Sequence, residues 1–158
     1  MASNPLQQLA GYGQSVWNDN LSRELLRTGG LQALIDNAGV VGVPSNPTIF
    51  DKAISGSNEY DEQIMALVAN GRNTAEIFDA LAIDDIRAAA DLLRPVWEAT
   101  RDSTDDGYVS LEVSPTLAHD TAGTIADVRR LFTAVDRPNV TIKIPGTVEG
   151  VPAIEEIG

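Results

Sequence analysis

The sequence has no cysteine, which excludes disulfides and thiol catalysis and fits a reducing compartment. Basic residues are scarce: 11 lysines and arginines stand against 23 aspartates and glutamates, for a formal net charge of −12. Nucleic acid and anionic membranes both call for a basic surface, so neither is expected as the main partner. No apolar run approaches the length of a membrane span. The N-terminus, Met1-Ala-Ser-Asn-Pro-Leu6, lacks the basic and apolar regions of a signal peptide. The expected location is the cytoplasm. No Asp, Glu or His cluster has metal-ligand spacing, so no metal and no other cofactor is expected. No internal repeat and no low-complexity tract interrupts the chain.

What remains is ordinary for a globular domain: 158 residues, 43% hydrophobic and 22% charged, read as one domain over residues 1–158. Lysine occurs only at Lys52 and Lys143. The second lies in Asn139-Val-Thr-Ile-Lys-Ile-Pro-Gly-Thr147, which reads as a short strand bounded by prolines. Side chains alternate across a strand, so Val140, Ile142 and Ile144 share one face and Thr141 and Lys143 the other. An ammonium in such a strand is costly to desolvate unless it is paired or neutral. Two readings follow: a lysine snorkelling from an edge strand, or an amine that attacks a carbonyl to form a Schiff base.

Further strands are expected at Ser15–Asp19, Val40–Val43 and Tyr108–Val113. Helices are expected from Ser22 to Thr28, Gly30 to Gly39, Thr48 to Ala53, Tyr60 to Ala69, Thr74 to Thr100 and Thr121 to Val135, with a last one from near Val148. Pro95 is expected to kink or break the longest of them. In the helix over 121–135, Ile125, Val128, Leu131 and Phe132 form the apolar side. Strands separated by helices imply a parallel sheet, either doubly wound or part of a barrel. A sheet covered on both faces is apolar on both. Here Ser110, Glu112, Thr141 and Lys143 make one face polar, which favours a barrel with that face inward. Asp19, Glu112 and Lys143 also sit near the C-terminal ends of their strands, where barrel catalysis is located. The absence of a Gly-rich loop after any strand weakens the doubly wound alternative.

Trp17-Asn-Asp-Asn20, Ser45-Asn-Pro-Thr48, Ser110-Leu-Glu-Val113 and Thr141-Ile-Lys-Ile-Pro-Gly-Thr147, in that order, closely resemble the bacterial transaldolases. The resemblance covers essentially the whole chain. It implies a class I aldolase-type α/β fold, here the N-terminal (β/α)4 half of a TIM (β/α)8 barrel, ending within the fourth helix. It also implies transfer of a dihydroxyacetone unit between sugar phosphates in the pentose phosphate pathway, through a lysine Schiff base. The substrates implied are sedoheptulose 7-phosphate, fructose 6-phosphate, erythrose 4-phosphate and glyceraldehyde 3-phosphate. Carried over by position, Lys143 matches the Schiff-base lysine, Glu112 and Asp19 the acid/base carboxylates, and Asn46, with Ser45 beside it, the substrate-contacting asparagine. The family usually has threonine where this chain has Pro44, which supplies neither a hydroxyl nor a backbone N–H.

Each residue also has a plainer reading. Either carboxylate alone is an ion-pair partner or a helix cap, Asn46 before a proline is a turn former, and His119 is a solvated loop residue. Four β/α units are about half of what a barrel needs. The alternative function is therefore an inactive half-barrel that self-associates, as a homo-oligomer, or complements a C-terminal half. A third reading is a phosphosugar-binding module without chemistry. On an uncompleted sheet, Trp17 and Val40 are expected to lie uncovered on the inner face.

Overall fold

The computed structural model describes residues 4–157. Its sheet contains β1 (Val16–Trp17), β2 (Val40–Val43), β3 (Tyr108–Glu112) and β4 (Val140–Lys143), all parallel and in the order β1-β2-β3-β4. A doubly wound sheet reverses its order at a switch point. This one adds each new strand on the same side, as a barrel does.

The helices are α1 (Pro5–Leu9), α2 (Arg23–Arg27), α3 (Gly30–Ala38), α4 (Pro47–Ser55), α5 (Asp61–Ala69), α6 (Thr74–Thr100), α7 (Thr121–Val135) and α8 (Gly150–Ile157). Of these, α3, α6 and α7 lie against the strands. Their apolar stripes meet one face of the sheet, where Val43, Val109, Leu111, Val113 and Val140 pack against Ile86, Ala90, Leu93, Val128 and Leu131. Burying each large side chain there contributes roughly 1.5–3 kcal/mol.

Register places the opposite set on the other face. Trp17 pairs with Gly42, Gly42 with Tyr108, Ser110 with Thr141, and Glu112 with Lys143. Gly42 is needed here because a Cβ on it would run into the Trp17 indole. Trp17 remains 40% exposed on this helix-free side, whereas Val40, expected beside it, is buried at 4%.

Local chemistry accounts for most element ends. Ser22 accepts from Leu25 N and starts α2, and Gly39, at φ 70°, ends α3 in the left-handed conformation. Asn73 and Glu76 form a capping box at the start of α6. That helix runs on through Pro95. Pro95 and Asp91 are both on the exposed side, so water can satisfy the carbonyl that loses its N–H partner. The ladder of β4 stops at Lys143 because Pro145 follows and has no donor. In α7, Thr124, Val128, Leu131 and Val135 are buried, but Phe132 is 50% exposed on the open side of β4.

Long-range polar contacts hold the layers in register. Asn139 Nδ2 donates to Ala90 O and to Gly107 O, each at 2.9 Å, and so fixes the start of β4 to α6 and β3. Gly107, at φ +87°, passes so close to Trp97 that no Cβ fits. A buried cluster joins α2 to α6 and to the turn just before α5: Asp85 accepts from Arg23 Nε at 2.9 Å and from the Tyr60 hydroxyl at 2.7 Å. The Arg23 guanidinium also lies 4.3 Å from the centre of the Tyr60 ring.

Candidate active site

The strand ends bring together residues far apart in sequence. Lys143 closes β4 and Glu112 closes β3; the two are directly paired, with Lys143 Nζ 3.1 Å from Glu112 Oε2. Their side chains are 39% and 28% exposed, so the pair is open to a ligand from the helix-free side. Glu112 also borders an open cleft of about 610 Å³ that is lined by Asp19, Asn46, Thr48, Ile49 and Lys52. Asp19 comes from the loop after β1, and Asn46 from the turn between β2 and α4.

Asn46 plays a local part as well. It is the N-cap of α4, its Oδ1 accepting from Ile49 N at 3.0 Å, so the helix starts at Pro47 rather than at Thr48. Oδ1 is committed to the cap, and among the described residues the amide NH2 has no hydrogen-bond partner, which leaves it available to the cleft. Ser45 differs: it is fully buried, and its hydroxyl donates to Ser110 O at 2.6 Å while its N–H reaches Ser110 Oγ at 3.4 Å. Ser45 therefore has no surface for a substrate and instead ties the β2 end to β3. Pro44, half-buried beside it, is followed at once by these contacts.

His119 lies away from the cleft in the exposed loop before α7, where its Nδ1 is 3.1 Å from Glu149 Oε2. That contact holds the Glu149 carboxyl below its usual range. Thr147 Oγ1 donates to Ala118 O at 2.5 Å and Thr121 Oγ1 to Glu149 O at 2.6 Å, so the loops that follow β3 and β4 are joined beside Lys143. The sequence reading did not include Lys52 in the site. Its only signal was the scarcity of lysine.

The model of the Transaldolase/Fructose-6-phosphate aldolase family matches residues 16–158. The chain belongs to this family. It is 50% identical over 157 residues to "Transaldolase 2" of a Nostoc species, covering 99% of this chain and 41% of that protein. It is 52% identical over 154 residues to the transaldolase of Acidothermus cellulolyticus, covering 98% and 41% respectively. With the transaldolase of Thermobifida fusca the identity is 54% over 151 residues, or 96% and 40% of the two chains. The chain thus spans about 41% of the length of the curated relatives it matches. With the sheet order, this makes the fold the N-terminal (β/α)4 half of a transaldolase-type barrel. Among the described residues, no helix is long and apolar enough to cross a membrane.

Proposed function

We propose that this chain carries the Schiff-base half of a transaldolase site and moves a dihydroxyacetone unit between sugar phosphates. The observation that carries this reading is the Lys143–Glu112 pair, at 3.1 Å, beside the cleft that Asp19 and Asn46 line. Donors are ketose phosphates such as fructose 6-phosphate and sedoheptulose 7-phosphate. Acceptors are aldose phosphates such as erythrose 4-phosphate and glyceraldehyde 3-phosphate. The setting is the cytoplasmic pentose phosphate pathway.

Lys143 Nζ, having given its proton to the neighbouring carboxylate, attacks the C2 carbonyl of the ketose and forms a C–N bond. Glu112 is placed to move protons at this carbon, so that the carbinolamine oxygen leaves as water and a protonated imine remains. Removal of the C4 hydroxyl proton then breaks the C3–C4 bond. The bonding pair moves into the imine to give an enamine, and the aldose leaves. The enamine carbon attacks the acceptor aldehyde, the new alkoxide takes up a proton, and water frees Lys143. Asp19, in the loop after β1, lines the cleft that Glu112 borders and takes the C4 hydroxyl. Asn46 offers its NH2 to a substrate hydroxyl.

Two variants separate the carboxylate roles. Glu112→Gln should slow the accumulation of a borohydride-reducible adduct with fructose 6-phosphate by about 10²–10⁴-fold. Asp19→Asn should leave adduct formation close to wild type but lower the release of glyceraldehyde 3-phosphate by a similar factor. The reverse pattern, adduct formation lost with Asp19→Asn and kept with Glu112→Gln, would contradict this division.

A second reading concerns assembly. β1 and β4 are open edges, and a groove of about 660 Å³ beside β4 is lined by Val128, Phe132, Val140, Ile142, Ile144 and Ile154. The occupant that fits is the C-terminal half of a transaldolase barrel, whose next strand would extend the β4 ladder and whose helix would cover Phe132. Co-expression with the C-terminal portion of a relative should give a 1:1 complex by analytical ultracentrifugation, and Phe132→Asp should weaken it at least about tenfold. A compact monomer that forms no such complex, or pairing only with itself, would overturn this reading.

A further inference from the structure

Asp19 is placed by its backbone alone. It lies in the loop after β1 and lines both the cleft of about 610 Å³ that Glu112 borders and a smaller one of about 300 Å³. Among the described residues its carboxylate has no hydrogen-bond or ion-pair partner. Its place in the cleft is therefore set by how residues 18–23 are held. At one end, Asn18 N donates to Gly42 O at 2.9 Å, and Asn18 Nδ2 closes a turn on Asn20 O at 2.7 Å. Between the ends, Leu21 is fully buried in the core. At the other end, Arg23 N, the first N–H of α2, donates to the Tyr60 hydroxyl at 2.9 Å. The first N–H groups of a helix have no partner within it. Ser22 Oγ takes Leu25 N at 3.1 Å, and Tyr60 takes Arg23 N from 37 residues away.

Tyr60 ends the single turn Asn58–Tyr60 before α5 and is fully buried. A hydroxyl has one proton to give and lone pairs to accept with. The proton goes to Asp85 Oδ2 at 2.7 Å, which turns a lone pair toward Arg23 N. Burial, ahead of the Asp85 bond, pushes the hydroxyl above its usual range, so it keeps that proton. Asp85 also accepts from Arg23 Nε at 2.9 Å, so hydroxyl, carboxylate and guanidinium close a ring around the start of α2. We infer that Tyr60 is a positioning residue: its buried hydroxyl holds the start of α2 and, through residues 20–22, keeps the Asp19 carboxylate at the cleft. Packing of the aromatic ring alone would need only a phenylalanine. This inference rests on the proposed transaldolase reading for the step that Asp19 serves, the release of the aldose.

Tyr60→Phe removes the hydroxyl and keeps the ring. It should form the borohydride-reducible adduct with fructose 6-phosphate at close to the wild-type rate. Release of glyceraldehyde 3-phosphate should fall about 10–10²-fold, the scale of a group misplaced by about 1 Å. In the Asp19→Asn background the same change should have little further effect on release, because the two residues act as a unit. A backbone ester at Arg23 deletes the donor and leaves Tyr60 in the core, and it should give the same split between the two rates. Val135→Ala, a cavity variant in α7, should lose stability without separating them. All rates are compared below the lowest melting transition, so that each variant is folded. A readout free of turnover is 15N relaxation: Tyr60→Phe should lower the backbone order parameters of Asp19 and Asn20 and leave those of α7 unchanged. Wild-type release in Tyr60→Phe or in the ester, an equal loss in the Asp19→Asn background, or unchanged order parameters would each overturn the inference. A wild type that forms no adduct would remove the Schiff-base reading. Loosening of Asp19 and Asn20 in Tyr60→Phe would then leave the hold on Asp19 standing, and its absence would overturn both.

Discussion

Replacing Lys143 with alanine is expected to abolish both imine trapping and dihydroxyacetone transfer, down to the limit of detection. The reaction needs an electron sink next to the C3–C4 bond, and a covalent iminium is the only one this site offers by its chemistry. Asp19, Asn46 and Glu112 can bind and move protons, but none can accept the bonding pair. Lys143→Arg should be equally inactive, because a guanidinium stays protonated and does not attack a carbonyl. Both variants should keep their fold, since the Lys143 side chain is 39% exposed and, among the described residues, pairs only with Glu112. Loss of an exposed pair of this kind costs at most about 1 kcal/mol. The check is adduct yield and transfer rate alongside a thermal melt. Transfer that persists in Lys143→Ala would place the nucleophile elsewhere.

Asp85→Ala should destabilise the chain by about 3–5 kcal/mol, a large part of a domain's total of about 5–15 kcal/mol. Asp85 is buried at 3% exposure and is the partner of Arg23. Arg23 Nη2 is already buried without a hydrogen bond. Removing the carboxylate would leave Arg23 Nε unpaired, with only Nη1 still bonded to Gln63, and leave the Tyr60 hydroxyl without its acceptor. Urea denaturation should show a lower midpoint at an unchanged slope; a loss below about 1 kcal/mol would mean that the cluster is incidental. The pH dependence has a definite sign. Burial pushes the Asp85 carboxyl above its usual value, outweighing the opposing contributions of the Tyr60 hydrogen bond and Arg23. The folded chain then holds this proton more readily than the unfolded one. The stability that Asp85 contributes should fall as pH rises from the unfolded carboxylate value, about 3.9, through the folded one. Wild type compared with Asp85→Asn across that range isolates the effect.

Elements set by local signals were legible in the sequence. β2 at Val40–Val43, α6 at Thr74–Thr100 and α7 at Thr121–Val135 have the expected bounds, because alternation, 3.6-residue periodicity and caps act over a few residues. Parity alone put Glu112 and Lys143 on one face, and the ladder pairs them. Features set by distant partners were not legible. Ser45 looked like a substrate contact, but it is buried against Ser110, 65 residues away. The Arg23–Asp85–Tyr60 cluster has no local signature, because its members lie on separate elements. Phe132 fits the apolar periodicity of α7, yet the stretch of sheet it faces, beyond β4, is open. β1 is shorter than expected: Asn18 N still bonds to Gly42 O at 2.9 Å, but its side chain turns back to Asn20 O. Pro95 was read for its backbone chemistry alone, and its exposed position decides the outcome.

The most direct test of the Schiff-base assignment is borohydride reduction in the presence of fructose 6-phosphate, followed by peptide mapping of the labelled chain. Three amines compete: Lys143, Lys52 and the α-amine of Met1. Lys52 lines the same cleft as Glu112, so it is a demanding internal control. The expected result is a single reduced adduct on the peptide that contains Lys143, lost in Lys143→Ala and much slower to form in Glu112→Gln. A label on Lys52 or the α-amine, with none on Lys143, would contradict it.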